Sequence, residues 1–119
     1  MSPLGRVTID EQRTGDRLLL IVDGELDVHT AAPLRERLEA AIDDGTKEIV
    51  IDATAVAFMD STGLGSIVRP ATLLAERDGR MVVVASPSVA RVFALTHLDE
   101  RIPVRTTRDE ALAVLTAPA

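Results

Sequence analysis

Apolar residues recur along this chain in two alternating rhythms. Val7 and Ile9 alternate with polar neighbours, as on a half-buried strand, and Thr14-Gly15-Asp16 supplies a turn before the apolar run Leu18 to Val22. Leu34, Leu38 and Ile42 then repeat at helical spacing, which predicts a helix from a Thr30 cap to Asp44, with Pro33 in its first turn and Gly45 ending it. The runs Ile49 to Ile51, within Glu48 to Asp52, and Met81 to Val84 are apolar at consecutive positions, which predicts strands buried on both faces. Between them Leu64, Ile67, Val68, Ala71, Leu74 and Ala75 mark a second helix, closed by Asp78-Gly79. Pro87 suits the first position of a third helix with Val89, Val92 and Phe93 on its apolar face, and a strand from Ile102 to Arg105 follows. Thr107-Arg108-Asp109-Glu110 fits a capping box for a last helix carrying Leu112 and Leu115. This alternation predicts an α/β domain with a mostly parallel or mixed five-stranded sheet and about four helices.

The 119 residues suit one domain over 1–119, with its core at about 6–116 and no internal linker or repeat. Only 2% of residues are aromatic, so the core must be aliphatic, with Phe58 and Phe93 as its only rings. The chain has no Trp or Tyr to stack on nucleobases, and its net charge of −6 opposes contact with a phosphate backbone, which argues against a nucleic-acid partner. The apolar runs are far shorter than the roughly 20 residues of a membrane span. The N-terminal stretch Met1-Ser2-Pro3-Leu4-Gly5-Arg6 has no apolar segment of secretory length, and there is no cysteine for a disulfide framework. These features predict a cytoplasmic protein with no membrane partner.

The stretch Phe58-Met59-Asp60-Ser61-Thr62-Gly63-Leu64-Gly65 carries the candidate chemistry, because it sets a hydroxyl between an acidic residue and a helix start. Ser61 falls at or near the N-cap, where its oxygen would satisfy a backbone N–H and contribute about 1 kcal/mol. An isolated Asp-Ser-Thr-Gly is accounted for by that cap alone. A second segment, Gly24-Glu25-Leu26-Asp27-Val28-His29-Thr30, lies between a strand and an amphipathic helix. Together with Met81 to Val84 as a strand and Ser86-Pro87 opening the third helix, the two segments resemble the STAS-domain family, specifically the bacterial anti-sigma factor antagonists. In that family a partner kinase phosphorylates the serine of the Asp-Ser motif, which is Ser61 here; Thr62 is the competing hydroxyl.

The resemblance implies a binding protein. Its unphosphorylated form would engage an anti-sigma factor with serine-kinase activity and free the sigma factor held by that partner, and a separate serine phosphatase would reverse the modification. The partner-facing residues would be Asp27, His29, Thr30, Asp60, Ser61, Thr62, Gly63, Leu64 and Gly65, since a parallel sheet sets both strand-to-helix loops at one edge. Several have plainer roles: Asp27 as a turn residue, Thr30 as a cap, and the two glycines as sites of close helix-to-sheet packing. The alternative is a STAS scaffold subunit of a larger signalling assembly, never phosphorylated in use.

Catalysis finds little support in the sequence, and no cofactor is implied. Ser61 lacks the first glycine of a Gly-x-Ser-x-Gly elbow, no lysine follows Gly65 as in a P-loop, and His29 and His97 lack the company of a metal site. Asp52 at a strand end imitates an aspartyl phosphoacceptor, but the first strand ends without an acidic pair and the only lysine is Lys47. Two positions depart from the family pattern. Pro70 falls inside the second helix, where it should kink or break it, and His97 stands where a glycine is usual after the third helix.

Overall fold

The computed structural model describes residues 6–117; residues 1–5, which hold most of the stretch read for a secretory signal, and residues 118–119 lie outside the described residues. Five strands form one sheet in sequential order: β1 (Val7–Thr14), β2 (Arg17–Leu26), β3 (Glu48–Met59), β4 (Arg80–Ala85) and β5 (Val104–Arg105). β1 is antiparallel to β2, and the rest are parallel. The helices are α1 (Ala31–Asp43), α2 (Ser61–Glu76), α3 (Pro87–Leu95) and α4 (Arg108–Thr116), with a 3-10 turn at Leu98–Glu100.

Each crossover steps to the next strand in the same direction, so right-handed connections bring α1, α2 and α3 to one face. Leu34 and Leu38 of α1, Ile67 and Leu74 of α2, and Val89 and Phe93 of α3 share a core there with Leu20, Ile49, Ile51 and Val83. On the other face α4 lays Ala111 and Leu115 over Val50, Val82 and Val84. The consecutive apolar residues of β3 and β4 are thus buried on both sides, as their pattern predicts. Of the two leucines marking α4, Leu115 is buried and Leu112 is 38% exposed, because Ala111 and Leu115 take the two inward positions one turn apart.

β2 and β3 both run well past their most apolar stretches. The β2–β3 register shifts between Ile21 and Asp23 and again between Gly24 and Glu25, each time inserting an extra β3 residue. The inward positions beyond Ala53 are consequently Val56 and Met59, spaced by three instead of two. Phe58 is turned outward and is 50% exposed, which corrects its expected place in the core; Phe93 is fully buried. β5 is shorter than expected because Ile102 closes the 3-10 turn with a bond from its N–H to the Leu98 carbonyl, and Pro103 has no N–H to give to β4.

α2 runs unbroken from Ser61 to Glu76 with Pro70 inside it, so the expected break does not occur. Pro70 is buried, as are Ile67, Ala71 and Leu74, and this packing offsets the bond the Ser66 carbonyl loses. His97 adopts the left-handed conformation (φ 60°) that a glycine would accept without strain.

Candidate functional site

β2 and β3 end level with each other. Leu26 pairs with Met59, and the Leu26 carbonyl accepts the Asp60 N–H at 3.1 Å. The two loops that follow are therefore neighbours at the C-terminal edge of the parallel strands, where the sequence puts them.

The first loop is held by its own side chains. The Asp27 carboxylate accepts the His29 N–H at 2.8 Å, while the Thr30 hydroxyl accepts the Asp27 N–H at 2.9 Å and donates to the Glu25 carbonyl at 2.6 Å. Thr30 occupies the cap position of α1, but its side chain caps no helical N–H. It is buried, so of the three residues expected to face a partner here, Thr30 shapes the loop while His29 is exposed and Asp27 half-buried. Val28 between them is 66% exposed.

In the second loop the cap is Asp60, not Ser61. The Asp60 carboxylate accepts the Gly63 N–H at 2.9 Å from an extended backbone, and its carbonyl accepts the Leu64 N–H at 2.9 Å. Ser61 becomes the first residue of α2. Its hydroxyl and that of Thr62 are exposed and bond to no other described residue. Asp60, with a short acceptor and an extended backbone, meets the requirements for a cap and takes the place expected for Ser61.

The two glycines behave differently. A Cβ on Gly63 would collide with the Leu26 carbonyl, so this residue lets the first turn of α2 close onto the end of β2. A Cβ on Gly65 would meet nothing, leaving open surface over that turn. Leu64 is directed into the core. The exposed surface of the edge is thus made by Val28, His29, Phe58, Ser61 and Thr62, with Asp27 and Asp60 half-buried among them. Sequence reading missed Val28 and Phe58. Val28 stands out only as an apolar residue among polar loop neighbours, and Phe58 is disguised by the bulges.

Asp52 is spoken for elsewhere. Its carboxylate accepts the Thr54 N–H at 3.0 Å, the Thr54 hydroxyl at 2.7 Å and Arg108 Nε at 2.6 Å, which joins β3 to α4. Burial alone would raise its pKa, but the bonds from Thr54 and Arg108 together outweigh burial and hold it below the usual carboxylate value. The carboxylate that imitates an aspartyl phosphoacceptor in the sequence is thus engaged as a joint between β3 and α4. Among the described residues no three His, Asp or Glu side chains lie grouped as metal ligands, and no helix is long and apolar enough to cross a membrane.

The molecule is thus a small mixed-sheet α/β domain whose distinguishing feature is a surface, with an exposed serine at a helix start and two exposed apolar side chains on the same sheet edge. Residues 8–111 match the STAS domain, and the chain belongs to that family. It is 35% identical over 96 residues to the anti-sigma-B factor antagonist of Staphylococcus aureus, covering 79% of this chain and 89% of that one. The crystal structure of an anti-sigma factor antagonist from Mycobacterium paratuberculosis superposes with a TM-score of 0.88 at 30% identity, over 98% of this chain and 100% of the other. The Bacillus cell fate determinant SpoIIAA in its phosphorylated form gives 0.72 at 25% identity, over 91% of this chain and 99% of that one.

Proposed function

We propose that this chain is an anti-sigma factor antagonist that works in the cytoplasm by switching partners. Unphosphorylated, it docks an anti-sigma factor with serine-kinase activity and so releases a sigma factor; phosphate on Ser61 ends the contact, and a serine phosphatase restores it. The observation that carries this reading is the exposed, unbonded Ser61 hydroxyl on the same edge as Val28 and Phe58.

The chemistry follows from the local geometry. Phosphate adds about −1.5 to −2 charges. The domain tolerates it, because Asp60 already caps Gly63 and the phosphate sits at the positive end of the α2 dipole, where first-turn amides can receive it. A partner packed flush on Phe58 and Val28 instead meets new bulk and charge beside Asp60. Binding is lost while the fold is kept.

The test is incubation of the protein with ATP and a kinase captured from its native cell, followed by site mapping and by titration of both forms against that kinase. Phosphate on Ser61 with loss of affinity is the expected result. Tight binding by both forms would instead support a scaffold role, and turnover of a small substrate without any partner would support an enzyme.

A further inference from the structure

α2 carries Ser61 at one end, and its far half, about 15 Å along the axis, borders a cavity of about 350 Å³. Val68, Ala71 and Ala75 of α2 line one side, Met81 of β4 lies at its base, and Val114 of α4 closes the other side. The cavity exists because β5 is short. With no N–H on Pro103, the β4–β5 ladder begins at Val83, and the start of the outer edge of β4 stays uncovered. The Arg80 N–H bonds to the Lys47 carbonyl on the β3 side, and the Val83 N–H bonds to the Pro103 carbonyl on the β5 side. Alternation along a parallel strand then directs the Met81 N–H into the open edge.

Two guanidinium groups border this space, and one is committed. Arg80 donates to the Val114 and Leu115 carbonyls and lies 4.0 Å from Glu48. Arg101 is exposed, makes one 3.3 Å bond to the Thr72 hydroxyl, and has no carboxylate within ion-pair distance among the described residues.

We infer that this cavity binds a small aliphatic monocarboxylate, its carboxylate held by Arg101 and the Met81 N–H and its chain laid along Val68, Ala71 and Val114. One free guanidinium matches one negative charge and presents paired donors to a carboxylate. No aromatic ring lines the cavity, so it offers no stacking platform for a nucleobase. The volume lies at the small end of ligand pockets, and the wall is mostly apolar with a few polar groups, as in such sites. The inference shares no residue with the Ser61 edge and stands or falls without the proposed partner.

The experiment is a titration of the isotope-labelled full chain with octanoate, octanol and octylamine, followed residue by residue through its amide resonances. Octanoate is expected to give saturable shifts centred on Met81, Ala75 and Val114, with octanol weaker and octylamine inert. Arg101→Gln should weaken octanoate about tenfold or more, the worth of a charged hydrogen bond, with an unchanged melting temperature. Arg101→Lys should restore part of the loss. Ala75→Leu, which fills the cavity from an exposed position, should abolish the shifts. Equal response to the three probes, octanoate shifts confined to other surfaces, or unaltered binding by Arg101→Gln would each overturn the inference.

Discussion

Gly63 and Leu26 meet so closely that no side chain fits between the first turn of α2 and the carbonyl that ends β2. The same carbonyl accepts the Asp60 N–H. The position of Ser61 is thus fixed by a backbone-to-backbone contact, not by its own hydroxyl. Gly63→Ala is expected to push the helix start off the sheet at a loss of about 1–3 kcal/mol, as for overpacked sites. Gly65→Ala, facing open space within the helix, is expected to add up to about 1 kcal/mol. Thermal melts of the two variants check this, and equal effects of the same sign would refute it.

Ser61→Ala should leave stability within about 0.5 kcal/mol of the parent, because the cap belongs to Asp60. Asp60→Ala should lose about 0.5–2 kcal/mol. The serine variant is expected to keep partner binding and to resist phosphorylation. Stoichiometric phosphate on it, mapped to Thr62, would identify the other exposed hydroxyl as the acceptor.

Phe58→Ala and Val28→Ala should weaken the partner complex, Phe58 by about 2 kcal/mol or more if it is a central anchor of the interface. Phe58 is half exposed and Val28 more so, so the melting temperature of either variant should fall little. Affinity titration beside a thermal melt separates the two effects. A matched fall in both would mean that the side chains serve folding alone.

The Asp52–Arg108 joint should give the domain an acid-sensitive component. The pKa of Asp52 is lowered in the folded protein, so its contribution is present above the unfolded value near 4 and is lost as the pH falls through the lowered folded value. Asp52→Asn is expected to cost about 1–2 kcal/mol at neutral pH, the lower part of the range for charged hydrogen bonds because Arg108 is half exposed. It should also flatten the stability curve below about pH 4. Urea unfolding across the acid range would measure both, and parallel curves for parent and variant would remove Asp52 as the source.

The sequence made the four helices and five strands legible because burial on two faces writes consecutive apolar residues into β3 and β4, while capping residues punctuate the helices. Strand order is not written locally, since it depends on which edges each crossover reaches. Phe58 was expected in the core as one of only two aromatic rings, but the two register shifts against β2, the second at Gly24, turn it outward. Pro70 was expected to kink or break α2 because the rule for proline counts the lost N–H and says nothing of the packing that keeps the helix whole. Ser61 was legible as a hydroxyl at a helix start, though it was expected to cap that helix. Its neighbour took the cap because Asp60 has the extended backbone that a cap needs and Ser61 does not.

The sequential strand order also sets a schedule for assembly on the ribosome. Every strand pairs with the strand made just before it, so each unit has a finished edge to join as it emerges, and the face that packs α1, α2 and α3 lacks only Leu98, Ile102 and Val104 once Leu95 has been made. The second face must wait. Val50, Val82 and Val84 stay bare, and Asp52 unclasped, until Arg108 and the last helix arrive, so a chain stalled before that point carries an open apolar sheet face that only its final residues can cover.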